Sequence, residues 1–371
     1  MKLLIIGGSN SVATGGYIDH LCDTLKEVAH PLTVKNLAVG GTTTLSGIGR
    51  LYETFAHEEF DFILYEYTIN DTGTFMYRKD GMQSYLLCLK ILLDVAAKLY
   101  PAAVFVPLLL AEEIHFSLKA PNPIYNLQLS LFSALSVPYI DIRKWMAELF
   151  LGKKPEWLYK DAGHYVTPQA TSIIGSLVAA HLLQLTKSRA ESIRTTHQKF
   201  TALNICRNVT HSYMPAGSLL PKKDSDFQIA EAHNRLMHLS YVRMLPGKGL
   251  NIKSNMFPLA IYLKSDAHHD AVRLSVVSTD TEPSFSLQTL CSTCHADTIK
   301  LRFVYSSIPV PFLFGDLLSV KFTPTEFALF VPAASAEITG PVKMFDAFVA
   351  NQNPARENYL DLVGVLFVKD E

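Results

Sequence analysis

Through the first 186 residues, short runs of branched and aromatic residues alternate with segments of helical period. Lys2 to Ile6, Thr33 to Val39, Phe60 to Tyr67, Ala103 to Leu109 and Pro138 to Ile142 read as strands. Helices are expected over Gly16 to His30, with Tyr17, Ile18, Leu21, Leu25 and Val28 on one side, over Gln83 to Leu99, and over Pro168 to Leu185. Such alternation is the sequence form of a parallel α/β sheet with helices on both faces. In a sheet of that kind ligands bind beyond the carboxyl ends of the strands. The first three strands run directly into Gly7-Gly8-Ser9-Asn10-Ser11, Gly40-Gly41-Thr42-Thr43 and Thr68-Ile69-Asn70-Asp71. Ser9, Gly41 and Asn70 are therefore expected to share one site.

The pattern changes further along. Residues 187–204 are polar and basic and read as a linker. From about residue 258 the chain reads as short strands at Leu259 to Lys264, Ala271 to Val277, Thr298 to Tyr305, Leu317 to Phe322, Phe327 to Val331, Val342 to Val349 and Leu360 to Val368. That spacing predicts an all-β, sandwich-like domain over residues 205–371. A helix is expected from Phe227 to Met237 inside the otherwise ambiguous stretch 205–257. A chain of 371 residues with 49% hydrophobic residues can fill a core in each of two domains.

Charge narrows the partners. With 33 Lys+Arg against 34 Asp+Glu, there is no global field to draw a phosphate backbone or an anionic membrane surface. Nucleic acid is not expected as a partner, and neither is a membrane span. The five cysteines are odd in number and Cys22, Cys88 and Cys206 lie far apart, so a disulfide framework is not indicated. Lys2 is followed by four apolar residues before Gly7-Gly8, which reads as a strand rather than a leader. A cytoplasmic protein is the expectation.

A serine at a strand-to-helix turn can present its hydroxyl beside backbone N–H groups, which suits a nucleophile with an oxyanion hole. It needs a base, and Asp161-Ala162-Gly163-His164 precedes the last helix. A carboxylate three residues ahead of a histidine can orient its imidazole. Taken singly, each feature has an ordinary explanation. Ser9 could be a small turn residue near a bound phosphate, Gly41 a turn glycine, Asn70-Asp71 a helix cap, and Asp161 and His164 surface residues. A dinucleotide site is excluded because Gly7-Gly8-Ser9 lacks the third glycine of G-x-G-x-x-G.

Taken together, the four clusters resemble the blocks of the SGNH (GDSL-type) hydrolase family across residues 1–186. Gly7-Gly8-Ser9 matches its Gly-Asp-Ser, and Asn36 through Gly41 its second block. Thr68-Ile69-Asn70-Asp71 matches Gly-x-Asn-Asp, and Asp161 and His164 match Asp-x-x-His. Gly8 stands where the family has aspartate, and Thr68 where it has glycine. The resemblance implies a flavodoxin-like three-layer α/β fold, with Ser9 as nucleophile, His164 as base and Asp161 as its orienter. It also implies Ser9, Gly41 and Asn70 as oxyanion donors, and no cofactor or metal. The expected activity is removal of a small acyl group, such as acetyl, from a carbohydrate or other polar alcohol. Transfer of that group to a glycan hydroxyl is an alternative, as is a non-catalytic glycan-binding role; a peptidase or thioesterase shares the same acyl chemistry.

Cys291-Ser292-Thr293-Cys294-His295 has the C-x-x-C-H form of a haem attachment site, but such attachment belongs to exported proteins and no leader is read here; two cysteines are also too few for a structural zinc site of four ligands, so a hairpin turn is expected. His268-His269-Asp270 reads as a solvated turn, and Glu112, Glu113 and His115 as a polar loop on the crevice edge that could contact substrate. The β domain is expected to recognise substrate or a partner, and the oligomeric state is not legible.

Overall fold

A computed structural model describes residues 1–28, 31–53, 58–78, 80–187, 208–220, 227–235, 237–265, 272–278, 286–291, 303–310, 325–331 and 359–371. The chain divides into two compact units, Met1–Cys206 and Arg207–Glu371.

Five parallel strands form the centre of the first unit: β1 (Lys2–Gly7), β2 (Thr33–Asn36), β3 (Phe62–Glu66), β4 (Val104–Leu109) and β5 (Ile140–Asp141), in the order β2-β1-β3-β4-β5. This is the flavodoxin-like order, in which the topological switch falls between β1 and β3. β3 and β4 are buried along their whole length, as strands covered on both faces must be, which explains why they are apolar but for Glu66 at the end of β3. On one face α1 (Tyr17–Val28) and a C-terminal helix, α7 (Gln169–Thr186), pack with Leu3, Ile5, Leu64 and Val106. α7 presses closely on α1 because Gly175 has no side chain. A Cβ there would stand 2.6 Å from the Tyr17 carbonyl oxygen.

Four helices of this unit were not legible from periodicity: α2 (Thr44–Glu53), α3 (Thr68–Phe75), α5 (Pro123–Leu135) and α6 (Ile142–Leu149). α4 (Gly81–Leu99) is the expected central helix. The second strand is shorter than expected because Leu37 and Val39 leave regular strand geometry, although their N–H groups still bond to Ile5 and Gly7. Between α6 and α7 a small hairpin, β6 (Tyr159–Asp161) and β7 (His164–Tyr165), stands outside the main sheet.

The second unit is antiparallel throughout its described strands. β8 (Val209–Pro215), β9 (Phe227–His233), β10 (His238–Met244), β12 (Phe257–Ser265), β15 (Val304–Pro309) and β17 (Leu360–Asp370) form one sheet. β11 (Gly249–Ser254), β13 (Val272–Ser278), β14 (Ser286–Cys291) and β16 (Thr325–Phe330) form another. A short helix, α8 (Ala216–Leu219), follows β8. β17 is buried from Leu360 through Val368 and pairs with three strands. The helix expected from Phe227 to Met237 is instead strand β9, paired residue for residue with β10. Its weak apolar pattern suits either state, and the ladder to β10 decides it. The expected strands at Leu317 to Phe322 and Val342 to Val349 lie outside the described residues. The same is true of His268 to Asp270 and of Ser292 to His295. Among the described residues no helix is long and apolar enough to cross a membrane.

Candidate active site

β1 delivers the chain to Gly7, and Gly8 turns it into a single 3-10 turn at Ser9–Ser11. The Gly8 N–H bonds to the Glu66 carbonyl at the end of neighbouring β3 at 3.0 Å, so two adjacent strand ends fix where Ser9 begins. Asn36 ties this turn to the next loop. Its Nδ2 donates to the Ser11 carbonyl at 2.7 Å, while its Oδ1 accepts from the Ala38 N–H at 3.0 Å. Gly40 backs onto Ser9, a Cβ there standing 3.6 Å from the Ser9 Cβ. Gly41 follows in the left-handed region with φ of 72° and open space around it, a conformation that favours glycine.

Asn70 lies in the first turn of α3 rather than in a loop, and its carboxamide rests against Gly8. The helix is held from below by a buried polar network. Asp71 accepts from the Thr44 N–H at 3.0 Å, from the Thr44 hydroxyl at 2.5 Å and from the Tyr65 hydroxyl at 3.0 Å. It thereby joins the start of α2, just past Gly41, to the helix carrying Asn70. Thr68, in place of the resembled family's glycine, is fully buried and donates to Gln128 Oε1 of α5 at 2.8 Å. Burial drives the Asp71 carboxyl up to about 7, against the pull of its hydroxyl and N–H donors.

The hairpin β6–β7 brings the remaining pair. His164 Nε2 stands 2.7 Å from Ser9 Oγ, and His164 Nδ1 stands 2.7 Å from Asp161 Oδ1. The same Asp161 oxygen accepts the N–H groups of Gly163 and His164, both at 3.0 Å. Partial burial pushes the Asp161 carboxyl up, but these bonds and the imidazole outweigh it and hold it below its ordinary value. Asn10 Nδ2 donates to the Gly163 carbonyl at 2.9 Å, linking the Ser9 turn directly to the His164 turn. Asp161, His164 and Ser9 thus form one continuous hydrogen-bonded chain. Among the described residues no hydrogen bond engages the N–H of Ser9, the N–H of Gly41 or the Asn70 amide nitrogen. The unengaged donors lie around the Ser9 turn, the arrangement that can receive a negative oxygen.

Glu112, Glu113 and His115 are largely occupied. The Glu113 N–H donates to the Ala162 carbonyl at 2.8 Å and its carboxylate pairs with Lys154, bracing the hairpin. Glu112 Oε2 lies 3.0 Å from His115 Nδ1, and His115 is buried. Among the described residues no cluster of three or more His, Cys, Asp or Glu could hold a metal ion. Glu66, fully buried behind the Ser9 turn, went unnoticed in the sequence. The available signal was a carboxylate closing an otherwise apolar strand, which burial forces to find hydrogen bonds or stay neutral.

No family model and no curated protein matches the sequence. Solved structures do. A two-domain esterase active on acetylated mannans aligns with 100% of this chain and 92% of its own at a TM-score of 0.58 and 10% identity. The structure of such an esterase co-crystallised with mannopentaose aligns with 100% of this chain and 91% of its own at 0.56 and 11% identity. At 10% and 11% identity the likeness speaks for the backbone alone, which in this chain is a five-stranded parallel α/β unit followed by an antiparallel β unit.

Proposed function

We propose that the protein is a serine esterase that removes a small acyl group, acetyl in the simplest case, from a carbohydrate hydroxyl. The observation that carries this reading is the Asp161–His164–Ser9 chain, with 2.7 Å at both links, beside the three unengaged donors. That the two-domain esterase of like fold is active on acetylated mannans supports an acetylated glycan as the substrate class.

The reaction follows from the geometry. Asp161 accepts a hydrogen bond from the Nδ1–H of His164 and stays ionised, leaving Nε2 to take the Ser9 proton as Oγ attacks the acyl carbon. The carbonyl π pair moves onto oxygen, which the Ser9 and Gly41 N–H groups and the Asn70 amide receive. When that pair returns, the C–O bond to the sugar breaks, and the departing oxygen takes the proton from Nε2. Water then attacks the acyl-Ser9 ester by the same route, with His164 as base, and releases the carboxylic acid and free Ser9. The Asp161 side chain is 52% exposed and that of His164 42% exposed, so a bulky polymer can reach the relay from solvent.

The test is hydrolysis of a chromogenic acetyl ester and of acetylated mannan by the full chain, with labelling of Ser9 by a fluorophosphonate. Labelling and acetate release that disappear in Ser9→Ala support the reading. An unlabelled, inactive parent overturns it, and acetyl appearing on an added glycan in place of free acetate replaces hydrolysis with transfer.

A further inference from the structure

Glu66 is 0% exposed at the end of β3, directly behind the Ser9 turn. All of its side-chain hydrogen bonds fall on one oxygen. Oε2 accepts from the Gly8 N–H at 3.3 Å and from the Ser11 hydroxyl at 2.9 Å, and the Tyr17 hydroxyl stands 2.7 Å from Ser11 Oγ. Oε1 is buried with no partner among the described residues. An ionised carboxylate in such a place would leave part of its charge unsolvated, whereas a neutral carboxyl keeps Oε2 as the acceptor and leaves unpaired only an uncharged hydroxyl at Oε1, the smaller cost. Gly8 and Ser11 are the two ends of the turn that carries Ser9, and Gly8 supplies no capping side chain of its own.

We propose that Glu66 is a positioning residue for acyl transfer, which in its neutral form clamps Gly8 to Ser11, aims Ser9 Oγ at His164, and on ionisation weakens the reaction. The inference rests on the serine esterase reading above. Among the described residues the titratable groups that interact with Glu66 are Tyr17 of α1, Tyr67 just past β3, Asp71 of α3 and Tyr165 of β7, and none of these is a cation. Burial raises the Glu66 carboxyl to about 8, opposed by the Ser11 and Gly8 bonds and assisted by Asp71. Once ionised, it sets a negative charge behind the place where the acyl oxygen becomes negative, and little solvent intervenes to screen the two.

The experiment measures kcat and KM for a chromogenic acetyl ester between about pH 6 and pH 9, with Ser9 labelling in parallel. Glu66→Ala is expected to lower kcat about 10²-fold with KM nearly unchanged, as for a slightly misdirected nucleophile. Glu66→Gln, which keeps the acceptor and cannot ionise, is expected to recover most of that loss. It should also lack the alkaline fall in kcat that is expected of the parent near pH 8. Should Glu66→Ala fail to fold, Ser11→Ala takes its place. Loss of that donor lowers kcat and moves the alkaline fall to higher pH, because the Ser11 bond favours the ionised form. A folded Glu66→Ala with the parent's kcat overturns the proposal, as does a Glu66→Gln that keeps the alkaline fall or an unmoved profile in Ser11→Ala. An unlabelled and inactive parent sinks the esterase reading itself, so the two failures are separable.

Discussion

Gly8 and Asn70 compete for the same space: a Cβ on Gly8 would stand 2.4 Å from Asn70 Oδ1 and 2.9 Å from its Cγ. The aspartate that the resembled family carries at this position cannot be restored without moving the Asn70 carboxamide. Gly8→Asp is therefore expected to lower kcat by about 10²–10³, the usual consequence of displacing one oxyanion donor. Gly8→Ala should show most of that loss. Steady-state kinetics with a thermal melt check this, and a folded Gly8→Ala with unchanged turnover would remove Asn70 from the mechanism.

Asp161 and His164 act as one unit on a hairpin outside the main sheet. Asp161→Asn keeps the size but can offer the imidazole the wrong hydrogen-bonding group, so kcat should fall by about 10²–10⁴ with the fold intact. Half exposure of the carboxylate favours the lower part of that range, because water shares in orienting the ring. Its depressed pKa also has a sign. Whatever stability the pair supplies is present above the ordinary carboxylate range and lost as pH falls through the lowered value.

Glu66 and Asp71 run the opposite way. Both are fully buried, and both carboxyls are raised by burial, to about 8 and about 7. Below the ordinary carboxylate range folded and unfolded chains are both protonated. Above it the unfolded chain ionises first, so the folded form holds more protons and stability falls as pH rises through about 7 and about 8. Melting temperatures should decline from mildly acidic to mildly alkaline pH, and Glu66→Gln should flatten the upper part of that decline. An equal decline in parent and variant would show that Glu66 does not hold its proton.

In the second unit, Asp361 is fully buried between two cations. It accepts from Arg243 Nε at 2.7 Å and Nη2 at 2.8 Å, and from Lys264 Nζ at 2.6 Å. Asp361→Ala strands positive charge at this position and should cost about 3–5 kcal/mol of that unit's stability. Denaturant melts followed by tryptic susceptibility of residues beyond 207 would detect it. A loss well under 1 kcal/mol would mean that other groups neutralise the cations.

The sequence by itself determined the parallel α/β character of the first half, the strand ends at which Ser9, Gly41 and Asn70 stand, and the antiparallel character of the second half. Those follow from local patterns: apolar runs too short for helices, small residues at sharp turns, and alternation between turn signals. The short helices α2 and α3 escaped because polar and small residues fill them, and their stability comes from tertiary partners such as Asp71 at the start of α2. β9 read as a helix because its pattern is indifferent and only the ladder to β10 chooses. The tertiary structure alone decided the meeting of residues 155 positions apart, His164 with Ser9 at 2.7 Å. It alone showed that the Asn70 carboxamide lies where a Gly8 side chain would begin. Glu66 marks the limit of local reading. A carboxylate at a strand end looks like a surface residue until the packing of neighbouring elements removes its water and leaves Gly8 and Ser11 as its partners.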